Sequence, residues 1–181
     1  MATLTIKLPS QRAQTDFNLR RWAELLEDPE LAKIEGRVEM DRYGHVIMSP
    51  PPAANHGRLQ ARIAILLDHH TNGGEVLTEC PISTADGVRA ADVAWASPER
   101  MKELGNRVCF ARSPDICVEV ISPGNTDGEI REKMALYFDA GASEVWLCEN
   151  SGKMKFFLSP TAPFARASKL CADFPAQVQL R

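Results

Sequence analysis

No apolar run in the chain approaches the ~20 residues that crossing a bilayer requires, and the opening MATLTIKLPS lacks the charged-then-apolar layout of a signal peptide. A cytoplasmic location and no membrane partner are therefore expected. The five cysteines, Cys80, Cys109, Cys117, Cys148 and Cys171, form no CxxC pair and are odd in number. That argues against a disulfide framework and against a cysteine zinc site, and leaves them as small apolar residues of strands. There is no internal repeat, and no biased segment apart from the prolines of Ser49 to Pro52, a stiff connector because proline fixes φ. A dense Lys/Arg stripe is missing too: 21 basic residues face 24 acidic ones for a net charge of −3. The overall field does not announce a nucleic-acid binder, although a local basic groove or a bound metal ion can invert the field at a site.

What is present is ordinary for a soluble globular protein, with 44% hydrophobic and 25% charged residues. A length of 181 residues suits one good core. The expected organisation is a single domain over residues 1–181, with N-terminal elements in 1–50, a core in 53–159 and a tail in 160–181. Thr3 to Leu8 alternates as a short strand, and Phe17 to Leu26 has helical spacing with Trp22, Leu25 and Leu26 on one side. Ile34 to Met40 and His45 to Met48 read as a hairpin turning at Asp41 to Gly44. Asn55 is placed to cap a helix carrying Leu59, Ile63, Leu66 and Leu67, which stops at Asn72-Gly73-Gly74. Strands follow at Val76 to Ser83, Val88 to Ala96 and Ile116 to Ser122, with a charged link around Pro98 to Asn106. A helix from about Gly128 to Ala140 ends at Gly141, and strands at Glu144 to Glu149 and Lys155 to Leu158 complete the pattern. The core order α-β-β-β-α-β, behind an N-terminal helix and hairpin, predicts an α/β fold with a mixed sheet flanked by helices.

Two of these strands carry an acid among apolar residues: Asp92 in VRAADVAWAS and Glu119 in DICVEVIS. Burying one unpaired carboxylate costs several kcal/mol, so each acid needs a partner or a strand end facing solvent. Acids converging from neighbouring strands offer the hard oxygen ligands that Mg²⁺ or Mn²⁺ prefers. On the following helix, Lys133 lies beside the apolar stripe of Ile130, Met134, Tyr137 and Phe138, placed to reach toward the acids. Two carboxylates around a metal, with a cation near the attacked group, is a layout for phosphodiester hydrolysis. Plainer readings stand beside it: Asp92 capping a turn, Glu119 paired with an arginine such as Arg89, and Lys133 a solvated helix residue.

The runs GVRAADVAWAS, SPDICVEVISPGNT and EIREKMALYFDAGASEVWLCE, with VIMSPPPAANHGRLQARIAILL and GGEVLTECPIS upstream, resemble the bacterial putative restriction endonuclease family, formerly a domain of unknown function, within the PD-(D/E)XK nuclease superfamily. The resemblance covers about Ile34 to Phe157. It implies a restriction-endonuclease-like core with a divalent-metal site on the sheet, Asp92 and Glu119 being the pair that binds metal. The superfamily's usual lysine, two residues after the second acid, is Ile121 here; Lys133 occupies the matching place on the next helix. The usual proline before the first aspartate is Ala91. Glu39, with Glu35 behind it, is the choice for the upstream acid, His56 matches a recurrent histidine at the start of the first core helix, and Glu79 lies on the strand beside Asp92 with its direction undetermined.

The reading that follows is a metal-dependent endonuclease hydrolysing DNA, using Mg²⁺ or Mn²⁺, with Asp92, Glu119 and Lys133 as its principal residues and Glu39 and His56 as further members. The alternative is a catalytically inactive nuclease-fold module that binds nucleic acid or a protein partner. A third reading is a structural oligomer, with the tail FARASKLCADFPAQVQLR as an arm on a partner subunit. A homodimer is expected because enzymes acting on duplex DNA often match its two-fold symmetry.

Overall fold

The computed structural model describes residues 10–34 and 36–180. The strand expected at Thr3 to Leu8 and the alternative acid Glu35 lie outside the described residues. Helix α1 runs Gln11–Leu26, longer than its apolar stripe suggests, because the Ser10 hydroxyl caps it by accepting the Ala13 N–H at 3.3 Å. Trp22 and Leu25 are buried against Met40, Val88 and Cys109, but Leu26 is 51% exposed, contrary to the expectation that all three share the buried side. Fully buried Asn18 anchors α1 by donating to Ser83 Oγ (3.0 Å), Thr84 O (2.9 Å) and Gly87 O (3.1 Å).

The expected hairpin forms as β1 (Arg37–Met40) and β2 (Val46–Ser49), with Asp41 accepting the N–H groups of Tyr43 and His45 in the turn. Helix α2 (Ala54–His70) follows the prolines, but Asn55 does not cap it: Ala53 holds the cap position without a side-chain bond. Asn55 instead donates to Asn150 Oδ1 at 2.6 Å, tying the start of α2 to a distant turn. Strands β3 (Glu75–Thr84) and β4 (Gly87–Ala96) form a long hairpin, and the stretch expected to be a charged link is a short helix α3 (Pro98–Leu104), capped by Ser97 with Pro98 in its first turn. Then come β5 (Ile116–Val120), α4 (Asp127–Asp139), β6 (Glu144–Cys148) and β7 (Met154–Phe157).

The chain builds a mixed α/β sheet in the order β2-β1-β4-β5-β6-β7, with β3 also paired to β4. Only β5 and β6 are parallel, joined through α4 as a crossover. Leu59, Ile63 and Leu67 of α2 pack on Val93, Val118 and Val120, whereas Met134 and Tyr137 of α4 pack on Ala94, Cys117 and Leu147. Residues of opposite parity along β4 and β5 thus meet different helices, and α2 and α4 cover opposite faces. All five cysteines are free and buried. No helix among the described residues is long and apolar enough to cross a membrane.

The tail is not an arm reaching for a partner. Cys171, Phe174 and Val178 are buried in the α2-side core, with the Phe174 ring 4.7 Å from that of Trp146. Buried Glu144 holds this segment by accepting the Lys169 N–H (2.7 Å), the Leu170 N–H (3.0 Å) and the Trp146 indole N–H (2.7 Å). The absence of a helical or strand period in the tail follows, since side chain and core, rather than a regular ladder, satisfy it. Phe174→Ala is expected to lower the unfolding free energy in urea by about 3 kcal/mol. Leu170→Ala, at a site 45% exposed, should change it by less than about 0.5 kcal/mol; equal midpoints for the two would show that the tail is not part of the core.

Candidate active site

One edge of β4 is taken by β3 over Gly87 to Ala91 and Val93 to Ala96, but the other is shared by two strands. β1 meets it only at Met40↔Val88, and β5 only over Val93↔Val118 to Trp95↔Ile116. Between them, Arg89 to Asp92 have no strand partner on that edge. Pro81, which has no N–H, stands opposite Ala90, and its carbonyl turns outward to accept from Phe110. The Ala90 peptide groups therefore point into the gap, where buried backbone must still find partners. Side chains supply them: Glu39 Oε1 accepts the Ala90 N–H at 2.9 Å, and the Lys133 ammonium donates to Ala90 O at 3.3 Å. Across the gap, the Val120 N–H, free of the ladder, donates to Asp92 Oδ2 at 2.6 Å.

All five sequence-identified residues gather here. Glu119 lies opposite Asp92 in the extended β4–β5 register, and its carboxylate accepts from Lys133 Nζ at 3.0 and 3.2 Å. The same ammonium is 3.2 Å from Glu39 Oε1. The Thr126–Glu129 capping box fixes where α4 begins, so Lys133 and Tyr137, four residues apart, share the face toward Glu119. From the other side of the sheet, α2 presents His56 and Gln60 with the same spacing. His56 Nε2 is 3.4 Å from Asp92 Oδ1 and its Nδ1 is 3.2 Å from Ser122 Oγ. The plainer readings fail on contacts: Arg89 pairs with Asp86 at 2.5 Å and lies 3.9 Å from Glu39, and Lys133 is not a solvated helix residue.

Three members were not foreseen. Arg37 donates through Nη1 to Asp92 Oδ1 at 2.6 Å, with Nε 3.4 Å from Glu79 and 3.7 Å from Glu39. Tyr137 donates its hydroxyl to Glu119 Oε1 at 2.7 Å. Gln60 donates to Glu79 Oε1 (2.8 Å) and to Asp92 O (3.0 Å). Glu79 itself turns toward the cluster, at a left-handed φ of 50° that a non-glycine residue adopts only under local constraint. The i, i+4 relation of Tyr137 to Lys133 was available as a signal. Arg37 had none, because its place depends on β1 joining β4 from far along the chain.

Burial opposes the charge on each acid, and the neighbours decide the outcome. Asp92 is held below the usual carboxylate range despite burial by the His56 bond, the Arg37 guanidinium and the Val120 N–H. Glu39 is likewise lowered against burial by Lys133, Arg37 and the Ala90 N–H. For Glu119 desolvation prevails over Lys133, and its carboxyl is raised. Lys133 is raised in spite of burial because Glu119 leads a ring of acids around it. The Asp92 bond is also the main reason His56 is raised.

The Asp92 and Glu119 oxygens are hard donors on adjacent strands and fit a hard divalent ion in chemistry. Among the described residues, however, no three His, Cys, Asp or Glu are arranged as a metal-binding group, and Arg37 and Lys133 provide the positive charge.

A family model described as "Uma2: Putative restriction endonuclease" matches residues 22–162, well over half of the chain. A crystal structure of a putative nuclease belonging to DUF820 from Anabaena variabilis is similar in fold, with a TM-score of 0.56 and 17% sequence identity, covering 75% of this chain and 80% of that one. No curated protein matches the chain.

Tyr137→Phe removes the only hydroxyl donor to Glu119 recorded among the described residues and leaves a buried carboxylate oxygen less satisfied. It is expected to lower stability by about 2 kcal/mol in urea denaturation of metal-free protein. A loss that is unchanged when Glu119→Leu is already present would show that the hydroxyl acts on something other than Glu119.

Proposed function

The chain belongs to the Uma2 family of restriction-endonuclease-like proteins, and from that premise we propose that it hydrolyses DNA phosphodiester bonds with a divalent cation at the β4–β5 gap. The observation that carries this reading is the meeting of Asp92, Glu119, Glu39 and Lys133 at one opening in the sheet. Asp92 and Glu119 would hold Mg²⁺ or Mn²⁺ there, and such an ion, when bound, lowers the pKa of water and offsets charge developing on the phosphate.

The chain's own residues do the rest. Lys133, kept protonated by its acidic ring, holds a fixed positive charge beside Glu119, where it orients water and stabilises the growing negative charge. Glu39 fixes Lys133 from the opposite side and anchors to the Ala90 N–H, so the ammonium does not swing away. Tyr137 holds the Glu119 carboxylate in one rotamer. His56, in the first turn of α2 and raised by its bond to Asp92, would lie beside a DNA phosphate held at the gap. A homodimer matched to duplex symmetry belongs to the same reading, and light scattering tests it.

A second reading, a nuclease-fold module that binds nucleic acid or a partner without cutting, is favoured by one contact: the Arg37 guanidinium already fills the position beside Asp92. Cleavage separates the two. Purified protein with Mn²⁺ and mixed DNA substrates should nick or cut. Asp92→Asn, Glu119→Gln and Lys133→Met should each reduce the rate at least about a hundredfold. Absence of cleavage, with DNA retained in a gel-shift assay, selects the second reading; cleavage that survives all three substitutions in contaminant-free protein refutes the proposed site.

A further inference from the structure

The two oxygens of Asp92 are not equivalent. Oδ2 is committed to the Val120 N–H at 2.6 Å, a bond that closes the sheet where the β4–β5 ladder ends. Oδ1 is therefore the oxygen left for an incoming ion; Arg37 Nη1 holds it at 2.6 Å, with His56 Nε2 farther off at 3.4 Å. Arg37 is poorly fitted as a permanent structural partner. A guanidinium presents its donors as a fork, and structural arginine–carboxylate pairs commonly use two of them. Here Nε and Nη2 are buried and lack a hydrogen-bond partner. The Arg37 side chain, 17% exposed, is held among Asp92, Glu79 and Glu39 by charge more than by hydrogen-bond geometry.

The charge balance around it is also uneven. Glu39, Glu79, Asp92 and Glu119 face two full cations, Arg37 and Lys133; His56 is 3.4 Å from Asp92, and Arg89, paired mainly with Asp86, is 3.9 Å from Glu39. Removing Arg37 leaves the acids short of positive charge, and adding a divalent ion beside it crowds two cations onto one carboxylate.

We propose that Arg37 is a built-in counter-cation that occupies Asp92 Oδ1 in the ion-free protein and must release it for a divalent ion to bind. The arginine thereby keeps the acids neutralised and the sheet gap closed without metal, and sets the affinity for the ion low. This inference rests on the reading that Asp92 and Glu119 hold the ion.

The test is Mn²⁺ binding to the whole protein without DNA, read from the electron paramagnetic resonance of free Mn²⁺. Arg37→Gln should bind at least tenfold more tightly than the natural protein. Arg37→Lys, which keeps the charge, should stay near it, and Asp92→Asn should lose saturable binding. If Arg37→Gln binds no more tightly while Asp92→Asn still abolishes binding, the counter-cation role is overturned and the metal site stands. If Asp92→Asn binds like the natural protein, or no protein binds Mn²⁺, the metal reading fails and takes the inference with it. Should Arg37→Gln not fold, the Arg37 Nε–Hε resonance of the natural protein, assigned by its loss in Arg37→Lys, decides the matter in a Mg²⁺ titration. It should shift with the midpoint of ion binding, and a resonance that stays in place overturns the proposal.

Discussion

The unpaired edge of β4 is the constraint on which the rest of the site depends. Peptide groups cannot be left bare in a protein interior, and where neither β1 nor β5 reaches, carboxylates and an ammonium take the place of a strand. The acids are thus structural before they are anything else: Glu39 replaces a missing carbonyl for Ala90, and Asp92 replaces one for Val120. Once present, they cannot be buried without positive charge nearby, which is why Lys133 and Arg37 lie within salt-bridge distance. A polar opening in an otherwise apolar sheet is the result.

Much of this was legible in the sequence, for reasons that are local. An acid in a run such as ICVEV contradicts the pattern around it, and so Asp92 and Glu119 stand out. Lys133 could be placed because helix periodicity fixes which residues flank the apolar stripe. Tyr137 was read as part of that stripe. It is both, since its ring is buried among Met134 and Leu147 while its hydroxyl reaches Glu119. A phenol's apolar body hides its polar end from hydropathy patterns.

The parts that were missed depend on contacts between distant segments. Nothing near Arg37 signals that its strand will lie beside β4, and Gln60 looks like any exposed helix residue until β3 kinks at Glu79 beneath it. Asn55 has the chemistry of a cap, yet the helix starts one residue earlier and its amide is claimed by Asn150. The segment Pro98 to Leu104 carries the Ser-Pro opening of a helix but too few apolar residues to show a period. The tail lacks any period because it is tied by isolated backbone bridges at Ala165 and Gln177 and by the Glu144 side chain rather than by a continuous ladder.

The single Cα pair by which β1 joins β4 also makes the sheet mechanically uneven. β3 and β4 share nine Cα pairs, interrupted only at Glu79 and Asp92, and form the most extensively paired part of the sheet. The seam between β1 and β4 has few backbone bonds and is held instead by the buried Met40 and Val88 and by side-chain contacts of Arg37 and Glu39. Arg37 and Glu39 stand on one side of that seam, and Asp92, Glu119 and Lys133 on the other. The cluster is thus divided along the boundary between a near and a far region of the chain.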